Sequence, residues 1–170
     1  NGAVYQMVAH GIMTGLFFAL VGLVYERAHT RTIAKMGGFA HVMPVVAGFF
    51  TLAGLSSLGL PGTAGFVAEF MVFAGAAKGP HWWWSILGVV GAFVTAVYVL
   101  RAVKIIFWGP KPEGDFQHLS DAKSTEWAAP LALGTMLVVF GFYPRLLLDF
   151  IDVASNSYLL RVALAEMGAR

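Results

Sequence analysis

The sequence contains no cysteine. That excludes a disulfide framework, a thiolate nucleophile and any iron–sulfur cluster held by this chain's own thiolates. Charge is also scarce: 12% of the 170 residues are Asp, Glu, Lys or Arg, against about 25% in an average soluble domain. The net charge is only +2, and the basic residues do not cluster as a nucleic-acid footprint would, so no nucleic-acid partner is expected. The chain opens Asn1-Gly2-Ala3-Val4 with no basic segment before its first apolar stretch. It is therefore expected to be a segment of a longer protein rather than to begin with a signal peptide. His29, His41, His81 and His118 fall in or beside loops. No pair of them has the spacing of metal ligands, and no metal site is expected.

Apolar residues make up 58% of the chain, and the mean hydropathy is +0.74. In water much of that surface would be exposed, so lipid is the solvent this composition fits. Four apolar stretches stand out. The first, residues 3–25, holds no Asp, Glu, Lys or Arg; at ~1.5 Å per residue it is long enough to cross a ~30 Å hydrocarbon core. The second, residues 42–77, carries a single charge, Glu69. As one helix it would reach ~54 Å, far beyond a membrane's need. Near its middle lies Gly59-Leu60-Pro61-Gly62-Thr63-Ala64-Gly65. Pro61 removes a backbone donor and the glycines disfavour helix, so Leu60, Pro61 and Gly62 mark a break within 60–64. Unwound backbone at membrane depth is tolerated only against protein or a wet cavity.

The third stretch, 82–108, has Trp82-Trp83-Trp84 at one end and Trp108 at the other as interfacial anchors. A polar linker, 109–123, follows. The fourth, 124–142, has Ser124 or Thr125 as its expected cap and Pro130 early in the helix. It stops at Tyr143-Pro144. In the tail, 145–170, Leu147, Phe150, Ile151, Ala154, Tyr158 and Leu159 form an apolar face beside Asp149, Asp152, Asn156 and Arg161. That pattern suits a helix at the interface or against a partner subunit. The fold class expected is all-α and integral to the membrane, with about four spans, the second broken, and an amphipathic C-terminal segment. Arg27, Arg31, Lys35, Arg101, Lys104, Lys111 and Lys123 lie on one side, and Lys78, Arg145, Arg161 and Arg170 on the other. Seven against four places the first side in the cytoplasm and both chain ends outward.

Glu69 is the residue that most requires explanation. A carboxylate in hydrocarbon costs roughly 2.5–3.5 kcal/mol on insertion scales, so it faces the bundle interior and either changes protonation or finds a cation. Burial favours the neutral acid and a nearby cation the carboxylate; a group pulled both ways can titrate near neutral pH, as a proton carrier must. The competing reading is a Glu held protonated or ion-paired as helix glue. The adjacent break favours transport, because broken helices mark ion sites in transporters. His10 shares a stripe with Gln6 and Thr14, four residues to either side. An imidazole can accept and donate a proton, although a lone His is as readily a packing residue. Counted from the outer face, His10 and Glu69 both lie ~10–12 Å deep. On the third span, Ser85, Gly88, Gly91, Thr95 and Tyr98 form a small or polar face that lines a water path or permits close packing. Lys104 is expected to snorkel, and Gly11 and Gly15 form a small-xxx-small pair.

Four stretches carry a family resemblance: Ala9-His10-Gly11, the run from Tyr25 through Glu26, Arg27, Ala28, His29 and Thr30 to Arg31, the run Gly59 to Phe70, and Gly141-Phe142-Tyr143-Pro144. They resemble the M-subunit family of bacterial NADH:quinone oxidoreductase, counterpart of mitochondrial subunit 4 and similar to the plastid-type D subunit. The broken-helix motif belongs to the wider antiporter-like superfamily. Glu69 narrows the choice, since L and N subunits and multisubunit cation/proton antiporters typically have Lys there. Ala68 departs from the Gly that many relatives have. The resemblance covers essentially the whole chain and implies helices 11 to 14 of one fourteen-helix antiporter-like domain. It makes Glu69 the terminal proton-carrying carboxyl and His10 the helix 11 histidine of a hydrophilic axis. Gln6, Thr14, Thr95 and Tyr98 are candidates to line the water path. The resemblance further implies a bacterial inner-membrane location and L- and N-type membrane subunits as partners. This chain would bind no cofactor, with FMN, iron–sulfur clusters and quinone in other subunits. Two alternatives are a subunit of an Mrp-type cation/proton antiporter and a structural membrane subunit in which Glu69 serves packing.

Overall fold

The computed structural model describes residues 1–112 and 114–168, with side chains as far as residue 158. Arg170, and the side chains of Leu159 and Arg161, lie outside the described residues. Among the described residues there are six α-helices and no strand.

Helix α1 (Gly2–Ala28) has no proline and no charge before Glu26, so nothing interrupts it for 27 residues. It ends when His29 turns left-handed (φ 48°) and donates its N–H to the Tyr25 carbonyl, a C-terminal turn of the kind glycine more often makes. Helix α2 (Pro44–Ser57) starts with proline at its first position, where no N–H is missed. Helix α3 (Ala64–Ala77) continues after an interruption at 58–63. Helix α4 (Trp83–Phe107) is the second long span. Helix α5 (Ala128–Phe142) leads into α6 (Arg145–Gly168), and the axis bends by 75° between them at Tyr143-Pro144.

By length and composition α1 and α4 can each cross a membrane, and the bent α5–α6 pair can be counted as a third span. Helices α2 and α3 have 14 residues each, or ~21 Å apiece, so together they reach across a bilayer with the interruption near its middle. The break begins two residues earlier than the sequence pattern indicates, at Leu58, because Gly59 already adopts φ 65°. Ala64 is back in helix.

Helix α1 is the hub. Tyr5, Ala9, Leu16, Leu20, Val24 and Ala28 lie along one buried face, the i, i+4, i+7 spacing of a core-facing stripe. That face meets α2, α3 and α5. The core continues through Phe39, Met43, Val46, Ala53, Ala68, Phe107 and Leu137. Close approaches happen where side chains are missing. A Cβ on Gly65 would strike the Ser56 carbonyl, and one on Gly141 would strike the backbone of Gly62 and Thr63, so α5 is seated directly on the break.

Three local expectations are revised. Neither Ser124 nor Thr125 caps α5: residues Ser124–Glu126 form a separate 3-10 turn and the helix starts at Ala128. Glu126 instead turns back to accept the Lys123 N–H at 2.7 Å. The apolar face of α6 is narrower than its pattern indicates: Leu147, Leu148 and Ile151 meet the core, whereas Phe150, Ala154 and Tyr158 are exposed. The Gly11 and Gly15 pair brings no helix close, since Gly11 faces open space and Gly15 meets only the tip of Leu133.

Candidate functional site

The break opens one side of a cavity of about 500 Å³. Helix α1 supplies Gln6, His10, Thr14 and Phe17, and the end of α2 supplies Ser56 and Ser57. Helix α3 contributes Gly65 and Glu69, while α4 contributes Thr95 and Tyr98. Glu69, His10, Gln6, Thr14, Thr95 and Tyr98 therefore share one space, and α1 packs directly on α3. Leu60, Pro61 and Gly62 lie in the break but do not line the cavity. Their contribution is backbone: Gly62 is left-handed (φ 93°), and Thr63 directs its hydroxyl at the Leu60 carbonyl, 2.8 Å away.

The Glu69 carboxylate lies against Gly59, whose bare Cα leaves it room; a Cβ there would overlap the carboxylate. Among the described residues no Lys, Arg or His forms an ion pair with Glu69. Three hydroxyls around the cavity bond to their own helices: Thr14 to the His10 carbonyl (2.6 Å), Ser57 to Gly54 (2.7 Å) and Thr95 to Gly91 (3.1 Å). Two buried oxygens there have no protein partner, Ser56 Oγ and Gln6 Oε1. The small face of α4 serves both expected purposes. Ser85 bonds the Phe73 carbonyl (3.1 Å) and Gly88 packs on the Phe73 ring, whereas Thr95 and Tyr98 face the cavity. Toward the far end of α1, Phe17, Phe50 and Phe107 stack edge-on and tilted, 5.0 and 4.9 Å between centroids. They stand between this cavity and an apolar pocket of about 300 Å³.

At the end where α1 finishes and α2 begins, charges are paired. Arg27 bonds Glu126 at 2.5 Å, the Leu23 carbonyl at 3.1 Å and the Asp121 carbonyl at 3.3 Å. The Asp121 carboxylate accepts the N–H groups of Val45 (2.7 Å) and Val46 (3.3 Å). These are the donors that an N-cap side chain would satisfy, and the negative charge suits the helix N-terminus. The Glu126 carboxyl is held below the usual carboxylate range, first by the Lys123 N–H and then by Arg27. Asp121 and the Arg27–Glu126 pair were missed in the sequence because each links residues more than seventy positions apart. Among the described residues no three His, Asp or Glu side chains converge as a metal ion would require.

A broken apolar helix with a carboxyl at its second half, facing an imidazole across a polar cavity, is the architecture of a membrane subunit that moves ions. Residues 1–95 match the family described as NADH:quinone oxidoreductase/Mrp antiporter, TM, and the chain, an integral membrane protein, belongs to that family. It is 35% identical to NADH-quinone oxidoreductase subunit M of Rickettsia prowazekii over 95% of its own length. It covers 33% of that relative, so the chain spans about a third of the length of the curated relatives it matches. Among solved structures it is similar to a chain of respiratory complex I from Thermus thermophilus with bound NADH. The TM-score is 0.77 at 32% identity, over 84% of this chain and 30% of that one. A chain of the Mrp complex from Dietzia sp. DQ12-45-1b shares the fold, with a TM-score of 0.77 at 20% identity, over 87% of this chain and 35% of that one.

Proposed function

We propose that this chain is the C-terminal part of an M-type subunit of proton-translocating NADH:quinone oxidoreductase in a bacterial inner membrane, and that its cavity carries the exit side of a proton path. The observation that carries this reading is the placement of Glu69 and His10 in one polar cavity at the helix break. A carboxyl and an imidazole can each take up and release a proton, and the hydroxyl-rich wall can hold water between them. Changes in the surrounding charge or helix position would alter the proton affinity of Glu69, so that it takes a proton from the His10 side and releases it outward. Gln6, Thr14, Thr95 and Tyr98 line the path. The electrons travel through FMN, iron–sulfur clusters and quinone in other subunits, and the neighbours in the membrane are antiporter-like L- and N-type subunits.

The test uses the intact complex in sealed vesicles, with assembly checked first. Glu69→Gln keeps shape and hydrogen bonding but removes the exchangeable carboxyl proton. Protons moved per NADH oxidised should fall severalfold. Unchanged protons per NADH with normal assembly would leave Glu69 as packing glue. The shared fold with the Mrp complex supports a second reading, a cation/proton antiporter subunit. Sodium-dependent exchange with no NADH-linked transport would favour it over the first.

A further inference from the structure

Four aliphatic hydroxyls line the cavity, and three of them are spent on a carbonyl of their own helix: Thr14, Ser57 and Thr95. Such back-bonding is the usual fate of Ser and Thr within helices. Ser56 is the exception. It is 1% exposed, its Oγ has no protein partner among the described residues, and it sits at the last turn of α2 facing Gly65 across the break. Gln6 Oε1, on the wall formed by α1, is likewise buried without a partner. Buried polar atoms are satisfied almost without exception, by protein or by ordered water. The cavity has room, at about 500 Å³ against roughly 30 Å³ for one water. It also has the two to four polar neighbours that a held water needs.

We infer that the Ser56 hydroxyl holds an ordered water in the cavity and positions it for proton exchange with Glu69, with Gln6 anchoring the same water cluster on the opposite wall. The inference rests on the proton-path reading of the cavity and adds to it a residue whose own chemistry is not acidic. Ser56 Oγ can accept one hydrogen bond while donating another, so a proton passing along the cluster leaves the hydroxyl as it began. The placement follows from the break itself. Because Gly65 has no side chain, α3 can approach the Ser56 carbonyl, and this contact keeps the serine buried at the cavity edge. Ser56 is thus a positioning residue, acting on Glu69 through water.

The experiment is a density map of the complete complex at a resolution that shows waters, for wild type and Ser56→Ala, with proton transport measured on the same preparations. Wild type should show water within hydrogen-bond distance of Ser56 Oγ. In Ser56→Ala that water should be lost with the Glu69 side chain unmoved, and protons per NADH should fall at least twofold. Thr51→Ala serves as the control, since its hydroxyl bonds the Ala47 carbonyl at 2.7 Å outside the cavity, and it should match wild type. A protein atom bonded to Ser56 Oγ, no density there, or wild-type transport by an assembled Ser56→Ala would each overturn the inference. Should Ser56→Ala not assemble, the wild-type map alone decides. Glu69→Gln separates the two claims: if it abolishes pumping while Ser56 is dry, the proton path stands and the role of Ser56 falls.

Discussion

The two ends of the broken helix are treated in opposite ways. At the start of α2 each ionised group has a partner: Asp121 takes two helix N–H groups, and Arg27 takes Glu126 and two carbonyls. At the interruption, Glu69 has no cation among the described residues, and Ser56 and Gln6 present unsatisfied oxygens to an open cavity. Pairing fixes a group in one protonation state and one geometry, which suits an anchor. An unpaired group in a polar cavity can change state, which suits a carrier. Glu69 is accordingly assigned to transport, and Glu126, the other carboxylate with a defined environment on the bundle, to structure.

That contrast can be broken by substitution. The largest effect is expected at the seam between the half-helices. Gly65→Leu would drive a side chain into the Ser56 carbonyl, where backbone and not a flexible side chain must move. A loss of at least about 3 kcal/mol is expected, read as failure of the subunit to assemble; normal assembly would show that the half-helices can separate freely. Next comes Asp121→Ala, which strips α2 of its long-range cap. It should lower thermal stability of the purified full-length subunit by about 1–2 kcal/mol, while protons per NADH in the assembled complex stay near wild type. A selective loss of pumping without destabilisation would move Asp121 from the anchor to the path.

The smallest effect sharpens the comparison through pH. Because the folded state holds the Glu126 carboxyl below its ordinary range, the unfolded state binds the proton more readily. Its stabilisation is therefore fully present above the ordinary Glu value of about 4.3 and is lost as pH falls toward the depressed folded value. Glu126→Gln should melt at a lower temperature than wild type at pH 7, with the gap closing in acid below pH ~4. A gap that widens in acid would mean that Glu126 is not paired in the folded state.

The sequence made some of this legible and hid the rest for identifiable reasons. Glu69 stands out as the single charge in a 36-residue apolar run, and Pro61 between glycines marks the interruption. The stripe Gln6, His10, Thr14 follows from helical spacing, but not which neighbour it faces; only the packing of α1 on α3 turns it toward Glu69. Ser56 and Ser57 are adjacent and alike in the sequence, yet one bonds back to Gly54 and the other is left free, a distinction set by where α2 ends. The linker 109–123 reads as a polar loop, and nothing local reveals that Asp121 reaches α2. His41 likewise meets the Gly109 carbonyl at 3.1 Å, and Phe116 packs edge-on against the buried Phe39. These are long-range contacts, set by how the helices assemble rather than by any period along the chain.

The most direct test sets the two carboxylates against each other. Glu69→Gln and Glu126→Gln would be measured side by side in the assembled complex, as protons moved per NADH oxidised in sealed vesicles. The account predicts a severalfold fall for Glu69→Gln and a ratio near wild type for Glu126→Gln, with its defect confined to thermal stability. Equal falls in both, or a fall in Glu126→Gln alone, would contradict the division of the molecule into a paired anchor and an unpaired proton cavity.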